Sequence, residues 1–178
     1  MNAAEFGLLG RVGRIGAYAN NADTTLSVET GYVRPDAGNI QPEETMNLVS
    51  MRIITNDVER LVSFYENISG TSATRYTPDF AELTTPRGTL AIGSTRTLSL
   101  FGAEDQLQPE ANRSVILEFL VKDVDAEFSR LKDQLTGFVQ EPTTMPWGNR
   151  SLLFRDPDGN LVNFFTPVTP EAIKKFAQ

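Results

Sequence analysis

Arg52 and Glu118 are the two charged residues whose placement in this chain points most directly to chemistry. They occupy matching positions in an internal repeat: Val49–Tyr65 reads VSMRIITNDVERLVSFY and Val115–Leu131 reads VILEFLVKDVDAEFSRL, so that Asp57-Val58 lies over Asp123-Val124 and Arg52 over Glu118. Each copy is an alternating apolar strand followed by an amphipathic helix. Every second side chain of a strand faces the same way, so Ser50, Arg52 and Ile54 share one face, as do Ile116, Glu118 and Leu120. Arg52 and Glu118 are therefore expected to meet near the axis that relates the copies. A charge directed into an apolar cavity is costly unless partnered, so either the two form an ion pair or one of them meets a ligand group of opposite charge. Glu118 is also the candidate catalytic acid or base, ahead of Glu82, Tyr65 and Tyr76. Two copies are too few for a solenoid, and a duplicated unit of this kind is expected to enclose a small-molecule cavity.

Other chemistries are excluded by what the chain lacks. Its 178 residues include no histidine and no cysteine, which removes imidazole bases, thiolate nucleophiles, disulfides and zinc-thiolate sites. No Ser/His/Asp arrangement, glycine-rich phosphate loop or acid pair of defined spacing occurs. A formal net charge of -7 argues against nucleic-acid and anionic-membrane partners, which need a basic face. No apolar run approaches the ~20 residues of a membrane helix. The early segment FGLLGRVGRIGAYA is broken by Gly10, Arg11, Gly13, Arg14 and Gly16, unlike a secretory signal, so a cytoplasmic location is expected.

The elements that must position Arg52 and Glu118 follow from periodicity. Residues 1–46 show no sustained period after Ala19 and are expected to be a partly disordered extension, with Met46 or Met51 as alternative starts. One domain is expected over 47–167, with module one at 47–102 and module two at 113–167, followed by a tail or short helix at 168–178. In module one a strand at Leu48–Thr55 leads to a helix capped by Asn56, with Val58, Leu61, Val62, Tyr65 and Ile68 facing the core and Gly70 ending it. Strands are expected at Phe80–Thr84, Thr89–Ile92 and Thr97–Phe101. In module two a strand at Val115–Val121 precedes a helix capped by Asp123 and closed by Gly137. Strands at Phe138–Glu141, Arg150–Arg155 and Leu161–Thr166 follow, the last two joined by the turn Asp156-Pro157-Asp158-Gly159-Asn160. Thr169 is expected to cap a helix at Pro170–Gln178. The fold class is α+β, two tandem βαβββ modules forming a curved, barrel-like mixed sheet around a cavity. Phe101 and Phe165, at the ends of matching strands, are candidate cavity residues.

This order, with the helices NDVERLVSFYENISG and KDVDAEFSRLKDQLTG and the terminal MPWGNRSLLFRDPDGNLVNFF, resembles the vicinal oxygen chelate superfamily, which includes glyoxalase I, bleomycin-resistance proteins and extradiol dioxygenases. The resemblance covers about Asn47–Pro167. Metal-dependent members chelate a divalent ion through His, Glu or Gln on the first and last strands of each module. Carried over, those positions fall on Ser50, Ser99, Ile116 and Asn163, which supply neither imidazole nor carboxylate. No metal and no cofactor are expected. By the same resemblance Trp147 stands where metal-free members stack an aromatic ring on a flat ligand, Asn163 retains hydrogen-bonding capacity, and a homodimer is expected.

The expected function is metal-free binding of a small aromatic or amphipathic organic molecule, through Arg52, Glu118, Trp147, Asn163, Ser50, Ser99, Phe101 and Phe165. The alternatives are a superfamily lyase, isomerase or epimerase using Glu118, and a regulatory module whose cavity is filled.

Overall fold

The computed structural model describes residues 46–177; the expectations for the preceding extension lie outside them. Two sheets of identical order are present, β1-β4-β3-β2 in module one and β5-β8-β7-β6 in module two. Module one consists of β1 (Ser50–Thr55), α1 (Val58–Ser69), β2 (Thr74–Thr77), β3 (Phe80–Thr85) and β4 (Gly88–Ser94). Module two repeats it with β5 (Ile116–Leu120), α2 (Val124–Leu131), β6 (Phe138–Thr144), β7 (Asn149–Arg155) and β8 (Leu161–Pro167), and α3 (Pro170–Phe176) follows. In each module the first strand runs parallel to the last, and the remaining pairs are antiparallel. Among the described residues no ladder joins the two sheets, so the architecture is a pair of open four-stranded sheets rather than a closed barrel.

The expected helix faces are buried: Leu61, Val62, Tyr65 and Ile68 of α1 and Val124 and Leu131 of α2 enter one core with Leu83, Ile92, Leu152, Phe154 and Phe164. That core spans both modules, as the ring contacts Phe64–Phe154 and Tyr65–Phe119 show. Polar contacts reinforce the junction. The Arg130 guanidinium on α2 donates to the carbonyls of Asn67 and Ile68, two of the carbonyls that the C-terminal turn of α1 leaves unpaired.

Local punctuation departs from expectation at four places. The cap of α1 is Asp57, not Asn56: its carboxylate accepts from Arg60 N–H at 3.0 Å, while Glu59 pairs with Arg75 instead of closing a capping box. Gly70 ends α1 in the left-handed region as expected, but α2 stops at Leu131 and Gly137 does not close it. Gly137 instead lies against β7, where an added Cβ would sit 3.3 Å from the Arg155 carbonyl. Thr97–Phe101 is not a strand. Ser94 caps a 3-10 helix over Thr95–Phe101 by accepting from Arg96 N–H, and Gly102 closes it at φ 62°. The missing strand is β2, whose four residues are all exposed and so carry no alternating signal.

Arg75 on β2 holds Glu66 of α1 at 2.9 Å. This hydrogen bond, helped by the Ala73 N–H, lowers the Glu66 carboxyl from its ordinary 4.5 to about 2. Because the folded value lies below the unfolded one, the stabilisation is present above about pH 4.5 and is lost as pH falls toward 2. A carboxyl-carbon NMR titration is expected to find Glu66 titrating near 2 in the wild type and moved up toward the ordinary carboxylate range in Arg75→Gln, with the Ala73 N–H still holding it somewhat low.

Candidate functional site

Each sheet has one face on the helices and one facing away. In module one Ile53, Ala81, Leu83, Leu90 and Ile92 pack into the core, which leaves Arg52, Phe80, Glu82, Ala91 and Gly93 on the open face. The Arg52 side chain lies across β4: a Cβ added at Gly93 would come within 3.8 Å of Arg52 Cδ. Gly93 is the cross-strand partner of Phe80, so its missing side chain lets the guanidinium reach the Phe80 ring, 4.7 Å from the centroid. Phe101, brought over by the 3-10 helix, lies 5.4 Å from the same guanidinium. Tyr76 stacks on Phe80 at 5.8 Å and its hydroxyl donates to Glu82 at 3.3 Å. Sequence reasoning missed Phe80 as a site residue, because its partnership with Arg52 depends on β4 lying between them.

In module two Leu117, Phe119, Val162 and Phe164 face the core, leaving Ile116, Glu118, Asn163 and Phe165 on the open face. Glu118 and Asn163 are direct cross-strand partners, and the Asn163 Nδ2 donates to the Glu118 carboxylate at 2.9 Å. That bond orients the amide. Its other end, Oδ1, is buried without a hydrogen-bond partner among the described residues, in a residue only 8% exposed. Phe165 packs on Phe176 of α3 with ring centroids 5.0 Å apart.

Between the edge strands β1 and β5 lies a cleft of about 640 Å³, lined mainly by apolar groups including Val49, Met51, Ile116, Leu120 and Phe165, with Ser50, Thr85, Arg87, Thr89 and Glu118 as polar members. The expected meeting of Arg52 and Glu118 does not occur. No ion pair joins them among the described residues: one leans over Gly93 to the aromatic rings, and the other is held by Asn163. Trp147 is also misplaced by expectation. It is 67% exposed at the β6–β7 turn and does not line the cleft. Ser99 lies on the 3-10 helix, where its hydroxyl donates to the Arg96 carbonyl, so it has no place on a last strand. Phe101, for the same reason, reaches Arg52 from that helix rather than from a strand end.

With the last strand of module one now at β4, the residue matching Asn163 is Ala91, since Ala91 pairs with Arg52 as Asn163 pairs with Glu118. The four positions that the resemblance assigns to metal ligation are then Ser50, Ala91, Ile116 and Asn163, which offer one hydroxyl and one amide. Among the described residues no group of three or more His, Cys, Asp or Glu residues could hold a metal ion. The set does not fit a divalent cation, which needs several charged or imidazole donors.

The chain matches the Glyoxalase/Bleomycin resistance protein/Dioxygenase superfamily over residues 47–164. It is 27% identical over 125 residues to the uncharacterized protein YraH of Bacillus subtilis, covering 67% of this chain and 98% of that one. A protein of unknown function from Agrobacterium tumefaciens has a similar structure, with TM-score 0.60 and 25% identity over 70% of this chain and 97% of that one. A glyoxalase/bleomycin resistance protein/dioxygenase family enzyme from Burkholderia phytofirmans shares the fold at TM-score 0.61 and 18% identity, covering 69% of this chain and all of its own, 100%. With the match spanning both modules and the paired sheets reproduced, the chain belongs to the glyoxalase/bleomycin resistance protein/dioxygenase superfamily.

Proposed function

We propose that this protein binds a small aromatic or amphipathic organic molecule without a metal ion, sequestering rather than transforming it. The observation that carries this reading is Asn163. Its Oδ1 is a buried acceptor with no partner among the described residues, on the same face as Glu118 and Phe165, two residues that line the cleft. Leaving such an acceptor unsatisfied costs roughly 1–3 kcal/mol, which a donor on a bound molecule restores. The cleft volume of about 640 Å³ falls within the ~300–1,000 Å³ of small-molecule sites, and its lining is mostly apolar. The reading includes a homodimer, in which a second copy lies along the sheet edges β1 and β5 and completes the wall of the cleft that Met51, Ile116 and Leu120 leave exposed.

Native mass spectrometry of the purified protein, set against its denatured mass, tests the proposal. The expected result is an organic adduct with no metal-sized increment, lost in Asn163→Ala. One metal ion per chain would overturn metal independence, and an adduct unaffected by Asn163→Ala would remove the assigned site. Once the adduct is identified, conversion of that compound, abolished in Glu118→Gln while binding persists, would mark an enzyme instead.

A further inference from the structure

We infer that the bound molecule is a planar organic anion, an aromatic carboxylate, and that Arg52 with the rings of Phe80 and Phe101 is its anchor. The inference rests on the binding-protein reading and places the anchor on the open face of module one, outside the residues that line the cleft. Arg52 is exposed on the open face of module one, yet its guanidinium has neither an ion pair nor a hydrogen bond among the described residues. Of the nearby carboxylates, Asp79 pairs with Arg96, and Glu82, across β4 on the same face, accepts the Tyr76 hydroxyl and makes no ion pair with Arg52. An exposed arginine ordinarily moves freely in water or meets a surface acid. Here two rings fix it, at 4.7 and 5.4 Å from their centroids, within the ~6 Å range of a cation–π contact.

The rings consume none of the five guanidinium donors, whose fork matches a carboxylate. The same nest supplies a stacking surface, because Phe101 and Tyr76 are 66% and 60% exposed. In a chain of net charge -7 the general field repels an anion, so its attraction must be local, and a held guanidinium without an ion-pair partner among the described residues provides it. Gly93 is the structural condition for this arrangement, since a side chain there would meet the stem of Arg52.

The test is calorimetric titration of the full chain with cinnamate and with its neutral isostere cinnamamide, in the wild type and in Arg52→Gln, Arg52→Lys and Phe101→Ala. These sites are exposed, so the variants are expected to melt as the wild type does. The wild type should bind cinnamate at least tenfold more tightly than cinnamamide. Arg52→Gln should abolish that preference, Arg52→Lys should keep part of it, and Phe101→Ala should weaken both compounds. Equal affinity for acid and amide in the wild type, an undiminished preference in Arg52→Gln, or no saturable binding of cinnamate would each overturn the inference. Should that happen while native mass spectra still show an Asn163-dependent adduct, the anionic class is wrong and the binding protein stands. If the adduct is missing too, both fail.

Discussion

Asp156→Ala is expected to destabilise the fold by about 3–5 kcal/mol, read as a lower midpoint in chemical denaturation. The Asp156 carboxylate is 5% exposed and receives four donors: the N–H groups of Asp158 and Asn160 on Oδ1, and the Tyr65 hydroxyl and the Asn160 amide on Oδ2. Neighbours extend this knot. Arg60 of α1 pairs with the buried Asp158, and Asn112 of the inter-module segment donates to Asn160 at 3.0 Å. A turn that locally only joins β7 to β8 therefore fastens module two to the first helix of module one. Alanine leaves those donors buried without acceptors. Asp156→Asn should cost less, about 1–2 kcal/mol, because its amide oxygen can keep the two backbone donors. Burial raises the Asp156 pKa above the ordinary carboxylate value, against the pull of its donors. With the folded value raised, its contribution is greatest below the unfolded pKa and declines as pH rises through the folded one, opposite in sign to that of Glu66. A loss under 1 kcal/mol in Asp156→Ala would show that the knot is not an inter-module fastening.

Gly148→Ala should cost about 2–4 kcal/mol, from left-handed strain and steric overlap together. Gly148 has φ 90°, and an added Cβ would sit 2.2 Å from Thr169 Oγ1 and 2.9 Å from its Cγ2. The position is also fixed by hydrogen bonds, since its carbonyl accepts from Val168 and Thr169 and its N–H donates to Met145. Thr169 caps α3 through the Ala172 N–H, so the overlap would push the start of that helix away from the β6–β7 turn. The double variant with Thr169→Ala checks the mechanism. Thr169→Ala alone should lose a cap worth about 1 kcal/mol, and the pair should lose less than the sum because the clashing atoms are gone. Strict additivity would rule out the steric explanation.

Much of this architecture was legible in the residues. The strand-helix repeat, the core stripe of α1, the Asp123 and Thr169 caps, Gly70 as terminator and the Asp156–Asn160 hairpin all rest on interactions within a few positions along the chain. Where two local solutions competed, the choice needed the third dimension. Thr97–Phe101 alternates like a strand, yet the Ser94 cap and the left-handed Gly102 wind it into a 3-10 helix.

By itself, then, the sequence determined the two modules, the absence of histidine and cysteine, and the positions of Arg52, Glu118 and Asn163 on strand faces, because composition and alternation are properties of the chain. Only the tertiary structure decided what those side chains meet. Arg52 crosses a glycine on one neighbouring strand to reach a ring on the next, and Glu118 takes the amide opposite it in a parallel ladder. Trp147 stays in solvent although tryptophan is highly buried on average. These outcomes depend on strand order and register between segments far apart in the chain, which the spacing within each repeat does not contain.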